Sequence, residues 1–149
     1  MLANVADGQS AEMSSQAPVQ GVGLFRTELC FLNRQDEPSV AEQADIYAAA
    51  LRPFRDVGYV VVRTLDAGSD KPIAFANQTE EENPALGVRG LRLSFGNPDL
   101  LVRQLDGIAL AAEQSGTETW VMAPMVATVA EAADFAGQVR ARGLRPGVA

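Results

Sequence analysis

Short apolar runs recur along the chain and are separated by segments with helical periodicity. Each run is four or five residues long and is bounded by glycine or polar residues, which is typical of buried strands. The runs are Leu2–Val5, Gly21–Phe25, Tyr59–Val62, Trp120–Ala123 and the beginning of a fifth at Pro146–Ala149. The pattern therefore predicts five short strands.

The segments between these runs carry start and stop signals for helices. A weak helix is predicted within residues 8–20. The stronger signals are capping boxes at Ser39–Glu42 and Thr128–Glu131, an N-cap and proline at Asn97–Pro98, and terminating glycines at Gly116 and Gly143. Four inward positions are expected on the third helix, namely Leu101, Leu105, Ile108 and Ala112. Alternating strands and helices predict an α/β fold with a parallel sheet covered by helices.

Composition excludes several classes of function. The 149 residues contain no histidine, so neither a histidine-based catalytic triad nor a phosphohistidine carrier lies within this segment. The net charge of −7 and the lack of a basic cluster argue against nucleic-acid binding. No apolar run approaches the roughly 20 residues of a membrane helix, and the start has no basic region typical of a signal peptide. We expect a cytoplasmic protein whose one cysteine, Cys30, is an inert core thiol.

Two arginines occupy equivalent places in the predicted sheet. Arg26 and Arg63 each follow an apolar run directly, so each is expected at the carboxyl end of a parallel strand. Two guanidinium groups at that edge can bind phosphate or carboxylate with paired hydrogen bonds. Arg89 and Arg92 could join them. The alternative is that each arginine pairs with a nearby acid such as Glu28 or Asp66, and the pattern leaves both interpretations open.

A long connection over residues 66–90 interrupts the alternation. It contains several glycines and prolines and the acidic run Glu80–Glu82, which is most simply a solvated surface. Lys71, within this connection, is either a phosphate ligand or an exposed side chain. Long ordered loops in compact domains are often functional, so we predict a mobile loop over residues 66–90.

Three ordered stretches of the chain form a recognisable set, namely residues 21–28 (GVGLFRTE), 62–72 (VRTLDAGSDKP) and 81–92 (EENPALGVRGLR). In order and spacing they resemble the phosphoenolpyruvate-utilising enzymes, which include Enzyme I of the sugar phosphotransferase system, pyruvate phosphate dikinase and phosphoenolpyruvate synthase. The second stretch is most similar to Enzyme I. Together with Pro124–Met125 after the fourth strand, the resemblance extends over nearly the whole chain.

This resemblance implies that residues 1–149 form a single partial domain, the first half of a (β/α)8 barrel with about four to five β/α units. Arg26 and Arg63 match arginines that grip the phosphoryl group of phosphoenolpyruvate, and Arg89 matches an arginine of the loop after the third strand. The family also implies Mg2+ as cofactor, the HPr carrier as partner and a homodimer formed through the barrel domain.

The same resemblance places the remaining machinery outside this segment. The metal-binding carboxylates, the catalytic cysteine and the phosphoryl-accepting histidine are expected beyond residue 149, and Cys30 does not match that cysteine. We therefore expect no catalytic or metal-binding residue here, and we expect the segment alone to be inactive. Because its sheet edges are open, we expect it to self-associate, to need a partner that supplies the other half, or to fold only marginally. Three hypotheses remain: a part of Enzyme I, a part of the dikinase or synthase, and a non-catalytic remnant that binds anions or a partner.

Overall fold

Every predicted apolar run forms a strand, and the strands pair in the order of the chain. The computed structural model describes residues 1–32, 34–68, 73–76 and 81–149. The strands are β1 (Ala3–Val5), β2 (Val22–Arg26), β3 (Val60–Arg63), β4 (Thr119–Ala123) and β5 (Arg145–Val148). All four pairings are parallel, in the order β1-β2-β3-β4-β5. A sequential order without reversal is that of consecutive units of a (β/α)8 barrel and not of a doubly wound sheet, so the predicted fold class is confirmed.

The helices follow the predicted signals closely. They are α1 (Gly8–Ser15), α2 (Val40–Leu51), α3 (Leu93–Gly96), α4 (Pro98–Ser115) and α5 (Val129–Arg140). Both predicted capping boxes form, and Gly116 ends α4 in the left-handed conformation with φ of 67°. Asn97 occupies the N-cap of α4, but its side chain makes no capping hydrogen bond. The short helix α3 was not predicted.

One face of the sheet packs against the helices and forms the core. Successive side chains of a strand point to opposite faces, so alternate residues of β3 and β4 share this environment. In β2 the register shifts between Val22 and Phe25, so these two residues are both buried although they are three positions apart. The fully buried apolar strand residues are Val5, Val22, Phe25, Val60, Val62, Val121 and Ala123. They share one core with Tyr47, Leu51, Leu105 and Ile108 from α2 and α4. Of the four inward positions predicted on α4, Ala112 is only partly buried, because Ala111 takes the inward place.

The opposite face is only partly covered. Leu24, Val61, Trp120 and Met122 are all of intermediate exposure, and Tyr59 stacks on Trp120 with ring centroids 4.9 Å apart. In a closed barrel this face is the interior, where side chains of all strands meet. Among the described strands, β1 and β5 each have one neighbour and form the two edges of the sheet.

The described residues of the long connection after β3 include two short 3-10 turns, Ala74–Ala76 and Gly90–Arg92. Lys71 and Glu80 lie outside the described residues, and the predicted mobility of residues 66–90 stays a prediction. Within the described ranges, no helix is both long and apolar enough to span a membrane.

Candidate anion site at the carboxyl edge of the sheet

The two strand-end arginines are direct neighbours in the sheet. Arg26 closes β2 and Arg63 closes β3, and their Cα atoms are register partners. Residues paired in this way on neighbouring strands are about 5 Å apart and project to the same face. Both side chains are partly buried at the carboxyl edge, as the sequence pattern predicts.

Arg63 also satisfies the alternative interpretation, because it is paired with both nearby acids. Its Nη2 atom donates to Glu28 Oε1 at 2.5 Å, and its Nη1 atom lies 3.1 Å from Asp66 Oδ2. The side chain of Arg63 is 16% exposed and that of Glu28 only 2%. The guanidinium group is therefore held in a fixed orientation by two carboxylates in a largely dehydrated site.

Asp66 joins the loop arginine to the strand arginine. Arg89 is buried, and its Nε and Nη2 atoms both lie 3.2 Å from Asp66 Oδ1. One carboxylate thus binds Arg63 through one oxygen and Arg89 through the other. The sequence pattern placed Arg89 at the close of a loop, and the structure brings it to the strand ends.

The backbone next to Arg89 is fixed by contact with the loop after β4. Gly90 adopts a left-handed φ of 57°, and a Cβ atom there would lie 2.9 Å from the carbonyl oxygen of Pro124. The amide of Leu91 donates to this same carbonyl at 3.0 Å. Only glycine combines this φ with such a close approach, so Gly90 determines where Arg89 can lie.

Arg26 differs from the other two arginines. Within the described part of the chain it forms no ion pair, and its buried Nε atom has no hydrogen-bond partner. Arg63 Nε and Glu28 Oε2 are also buried without partners there. Buried polar atoms of this kind are costly unless a ligand or water satisfies them. Among the described residues, Arg26, Arg63 and Arg89 lie at this edge together with the carboxylates of Glu28 and Asp66.

Each strand-end arginine is followed by a threonine, and the two threonines make the same kind of bond. Thr27 Oγ1 donates to the carbonyl of Arg63 at 2.8 Å, and Thr64 Oγ1 lies 3.5 Å from the carbonyl of Met122. Each hydroxyl thus links the end of its strand to the next strand. The repeated Arg-Thr pair was a usable signal in the sequence for these contacts.

Arg92 and Cys30 do not belong to this site. Arg92 Nη1 donates to the carbonyls of Leu86 and Gly87 within its own loop, so the expectation that it could join the other arginines receives no support. Burial raises the pKa of the Cys30 thiol to about 12, which keeps it protonated and unreactive at neutral pH. Among the residues that the structure describes, no group of three or more acids, cysteines or histidines could hold a metal ion.

The chain belongs to a known family of enzyme domains. Residues 1–142 match the PEP-binding domain of the PEP-utilising enzymes, which is more than nine-tenths of the chain. The chain is therefore a member of the PEP-utilising enzyme family, and its matched region is the PEP-binding domain.

Individual relatives point to the same family. The chain is 47% identical over 146 residues to a phosphoenolpyruvate-protein phosphotransferase from Streptomyces coelicolor, covering 97% of this chain and 26% of that protein. A phosphoenolpyruvate-protein phosphotransferase from Haloferax volcanii is 49% identical over 74% of this chain and 20% of its own length. A multiphosphoryl transfer protein from Rhodobacter capsulatus is 40% identical over 88% of this chain and 16% of its own length. The chain spans about a quarter or less of these relatives.

Proposed function

We propose that residues 1–149 are a partial domain of an Enzyme I-type phosphotransferase, and that the carboxyl edge of β2 and β3 binds phosphoenolpyruvate. The observation that supports this most strongly is the register pairing of Arg26 with Arg63 at the carboxyl edge of the sheet. Phosphoenolpyruvate carries a phosphate and a carboxylate, and both are suited to the planar fork of a guanidinium group.

The three arginines have different parts in this proposal. Arg63, already fixed by Glu28 and Asp66, offers a preorganised fork for the phosphoryl group. Arg26 has no carboxylate partner among the described residues, so the anion would give its guanidinium group the acceptor that it lacks. Arg89, linked to Arg63 through Asp66, would close the site from the side of the loop.

The rest of the proposal concerns the larger protein. The phosphoryl group would pass to a histidine outside this chain and then to the HPr carrier, in the cytoplasm and in a homodimer formed through the barrel domain. Magnesium would neutralise charge on the ligand, but the described residues offer no ligand set for it. Two of the relatives named above are phosphoenolpyruvate-protein phosphotransferases, which favours Enzyme I over the dikinase, the synthase and a non-catalytic remnant.

Arg26→Ala tests this proposal most cleanly. Removing the Arg26 side chain takes no ion-pair partner away from any carboxylate that the structure describes. The change is made in the protein encoded by the complete reading frame that contains this chain. We expect kcat/KM for pyruvate release from phosphoenolpyruvate, with magnesium and HPr, to fall by about 10²–10³-fold, as for loss of one electrostatic donor in a dry site. The melting temperature should change little.

Arg145→Ala is the matched control, because Arg145 lies at the opposite end of the sheet and is largely exposed. It should leave kcat/KM unchanged. Arg63→Lys should be damaging, because a point charge cannot replace the fork. Normal turnover in Arg26→Ala would contradict the assignment of the site. The 149-residue chain alone is expected to release no pyruvate.

A further inference from the structure

We propose that Gln104 is a positioning residue that holds the ends of β2 and β3 in the alignment that anion binding requires. This inference rests on the proposed function, since it names a residue that supports the same site without touching the ligand. Gln104 lies on α4 and is buried. Glutamine on the apolar stripe of this helix, between Leu101 and Ile108, is the sequence signal that points to it.

The amide group of Gln104 reaches both strand ends. Its Oε1 atom accepts from the backbone amide of Leu65 at 3.0 Å, two residues after Arg63. Its Nε2 atom donates to Thr27 Oγ1 at 3.1 Å, one residue after Arg26. The second Nε2 hydrogen is directed to Tyr47 Oη, also at 3.1 Å. One side chain therefore bonds to the residues that follow both arginines.

The direction of every bond in this network is determined. The backbone amide of Leu65 can only donate, so Oε1 of Gln104 must face it and Nε2 must donate to both hydroxyls. Thr27 therefore accepts from Gln104 and donates its own proton to the carbonyl of Arg63 at 2.8 Å. Consecutive hydrogen bonds therefore join the ends of β2 and β3 to α4, and in each of them the donor and the acceptor are fixed.

The other branch of the network runs away from the site. Tyr47 Oη accepts from Gln104 and donates to Gln43 Oε1 at 3.0 Å, and Gln43 Nε2 donates to the carbonyl of Pro38 at 3.0 Å. Burial raises the pKa of Tyr47, which keeps its hydroxyl protonated as a donor. This branch is buried like the first but ends at the loop before α2, so it supplies an internal control.

The network acts on the charges of the site through short backbone segments. Leu65 precedes Asp66, the acid shared by Arg63 and Arg89. The carbonyl that Thr27 binds belongs to Arg63 itself. A shift of either strand end would change the spacing of the guanidinium groups. Since charge-assisted recognition of an anion depends on that geometry, loss of Gln104 should weaken binding more than it weakens folding.

The test uses three substitutions, each of which nearly keeps the volume of the side chain that it replaces. They are made in the protein encoded by the complete reading frame. Gln104→Met and Thr27→Val remove the branch that reaches the strand ends, whereas Tyr47→Phe removes only the other branch. Calorimetric titration with phosphoenolpyruvate and magnesium should show a Kd raised about 10-fold for the first two, the scale of a lost buried hydrogen bond. Tyr47→Phe should leave the Kd within about 2-fold of the original while lowering the melting temperature. Thr27→Ser keeps the hydroxyl, so its Kd should stay close to that of the unaltered protein.

Hydrogen exchange at the Leu65 amide gives a second readout that needs no ligand. It should be faster in Gln104→Met than in Tyr47→Phe. An unchanged Kd in Gln104→Met, an equal loss in Tyr47→Phe, or unchanged Leu65 exchange would overturn the inference. If the unaltered protein failed to bind phosphoenolpyruvate, the proposed function would be wrong, and Leu65 exchange would still support or refute the alignment role.

Discussion

The two ends of the same sheet both carry arginines paired with acids, but in different surroundings. At the carboxyl end, the side chains of Arg63 and Glu28 are 16% and 2% exposed. At the amino end, Arg145 lies 3.3 Å from Glu118, with exposures of 66% and 52%, and its guanidinium group lies 5.5 Å from the centre of the Trp120 ring. The residue types are alike, and the difference is access to water.

This difference determines what each end can do. An exposed ion pair contributes only about 0.2–1 kcal/mol and leaves its side chains free to move, so it neither fixes a geometry nor strengthens contact with an anion. A dehydrated pair holds its groups in place, and removing one partner leaves a buried charge uncompensated. The carboxyl end therefore holds its charged groups in fixed positions, whereas the amino end has the character of an ordinary protein surface.

Removing Arg63 should give the largest effect. Arg63→Ala leaves Glu28 buried without its cation, and we expect the free energy of unfolding to fall by about 3–5 kcal/mol. Arg145→Ala, the matched change at the other end of the sheet, should cost less than about 1 kcal/mol. Urea unfolding of the two variants measures both values. Equal losses would show that the two ends do not differ as described.

A double variant at the carboxyl end separates stability from binding. Adding Glu28→Gln to Arg63→Ala removes the uncompensated charge, so much of the lost stability should return. Affinity for phosphoenolpyruvate should not return, because the guanidinium fork is still missing. Recovery of affinity in the double variant would contradict the proposed role of Arg63.

A smaller effect is expected where a carboxylate is exposed but held by hydrogen bonds. The backbone amide and hydroxyl of Ser39 donate to Glu42 and lower the pKa of its carboxyl group. Ser39→Ala should cost about 1 kcal/mol at neutral pH through loss of the helix cap. A carboxyl group whose pKa is lower in the folded state stabilises the fold at pH values above the ordinary glutamate pKa, and this contribution is lost as the pH falls. Ser39→Ala removes the part of it that the hydroxyl supplies, so its cost should shrink somewhat in acid. A constant cost across pH would contradict a contribution from the bond between the Ser39 hydroxyl and the Glu42 carboxylate.

The local parts of the fold could be predicted from the sequence. Strand runs, both capping boxes and the terminating Gly116 depend on residues within a few positions of each other, and the structure contains them all. The juxtaposition of Arg26 with Arg63 was predictable as well, because parallel strands bring their carboxyl ends to one edge.

The remaining features depend on contacts between distant parts of the chain. Gln104 is separated from Thr27 by 77 positions in the sequence and from Leu65 by 39. No local sequence pattern could therefore predict the hydrogen bonds between them. The 3-10 turn Thr27–Cys30 contains the threonine that bonds to Arg63, which is 36 residues away. The sharing of Asp66 between Arg63 and Arg89 likewise depends on how the loop after β3 returns to the sheet.

The most direct test of the central claim is a calorimetric titration with phosphoenolpyruvate and magnesium of the protein encoded by the complete reading frame. The unaltered protein, Arg26→Ala and Arg145→Ala are compared at equal ionic strength. We expect Arg26→Ala to raise Kd by about 10- to 100-fold, as for lost hydrogen bonds to a charged group, and Arg145→Ala to leave Kd unchanged. An unchanged Kd in Arg26→Ala, or equal changes in both variants, would contradict an anion site at the carboxyl edge of β2 and β3.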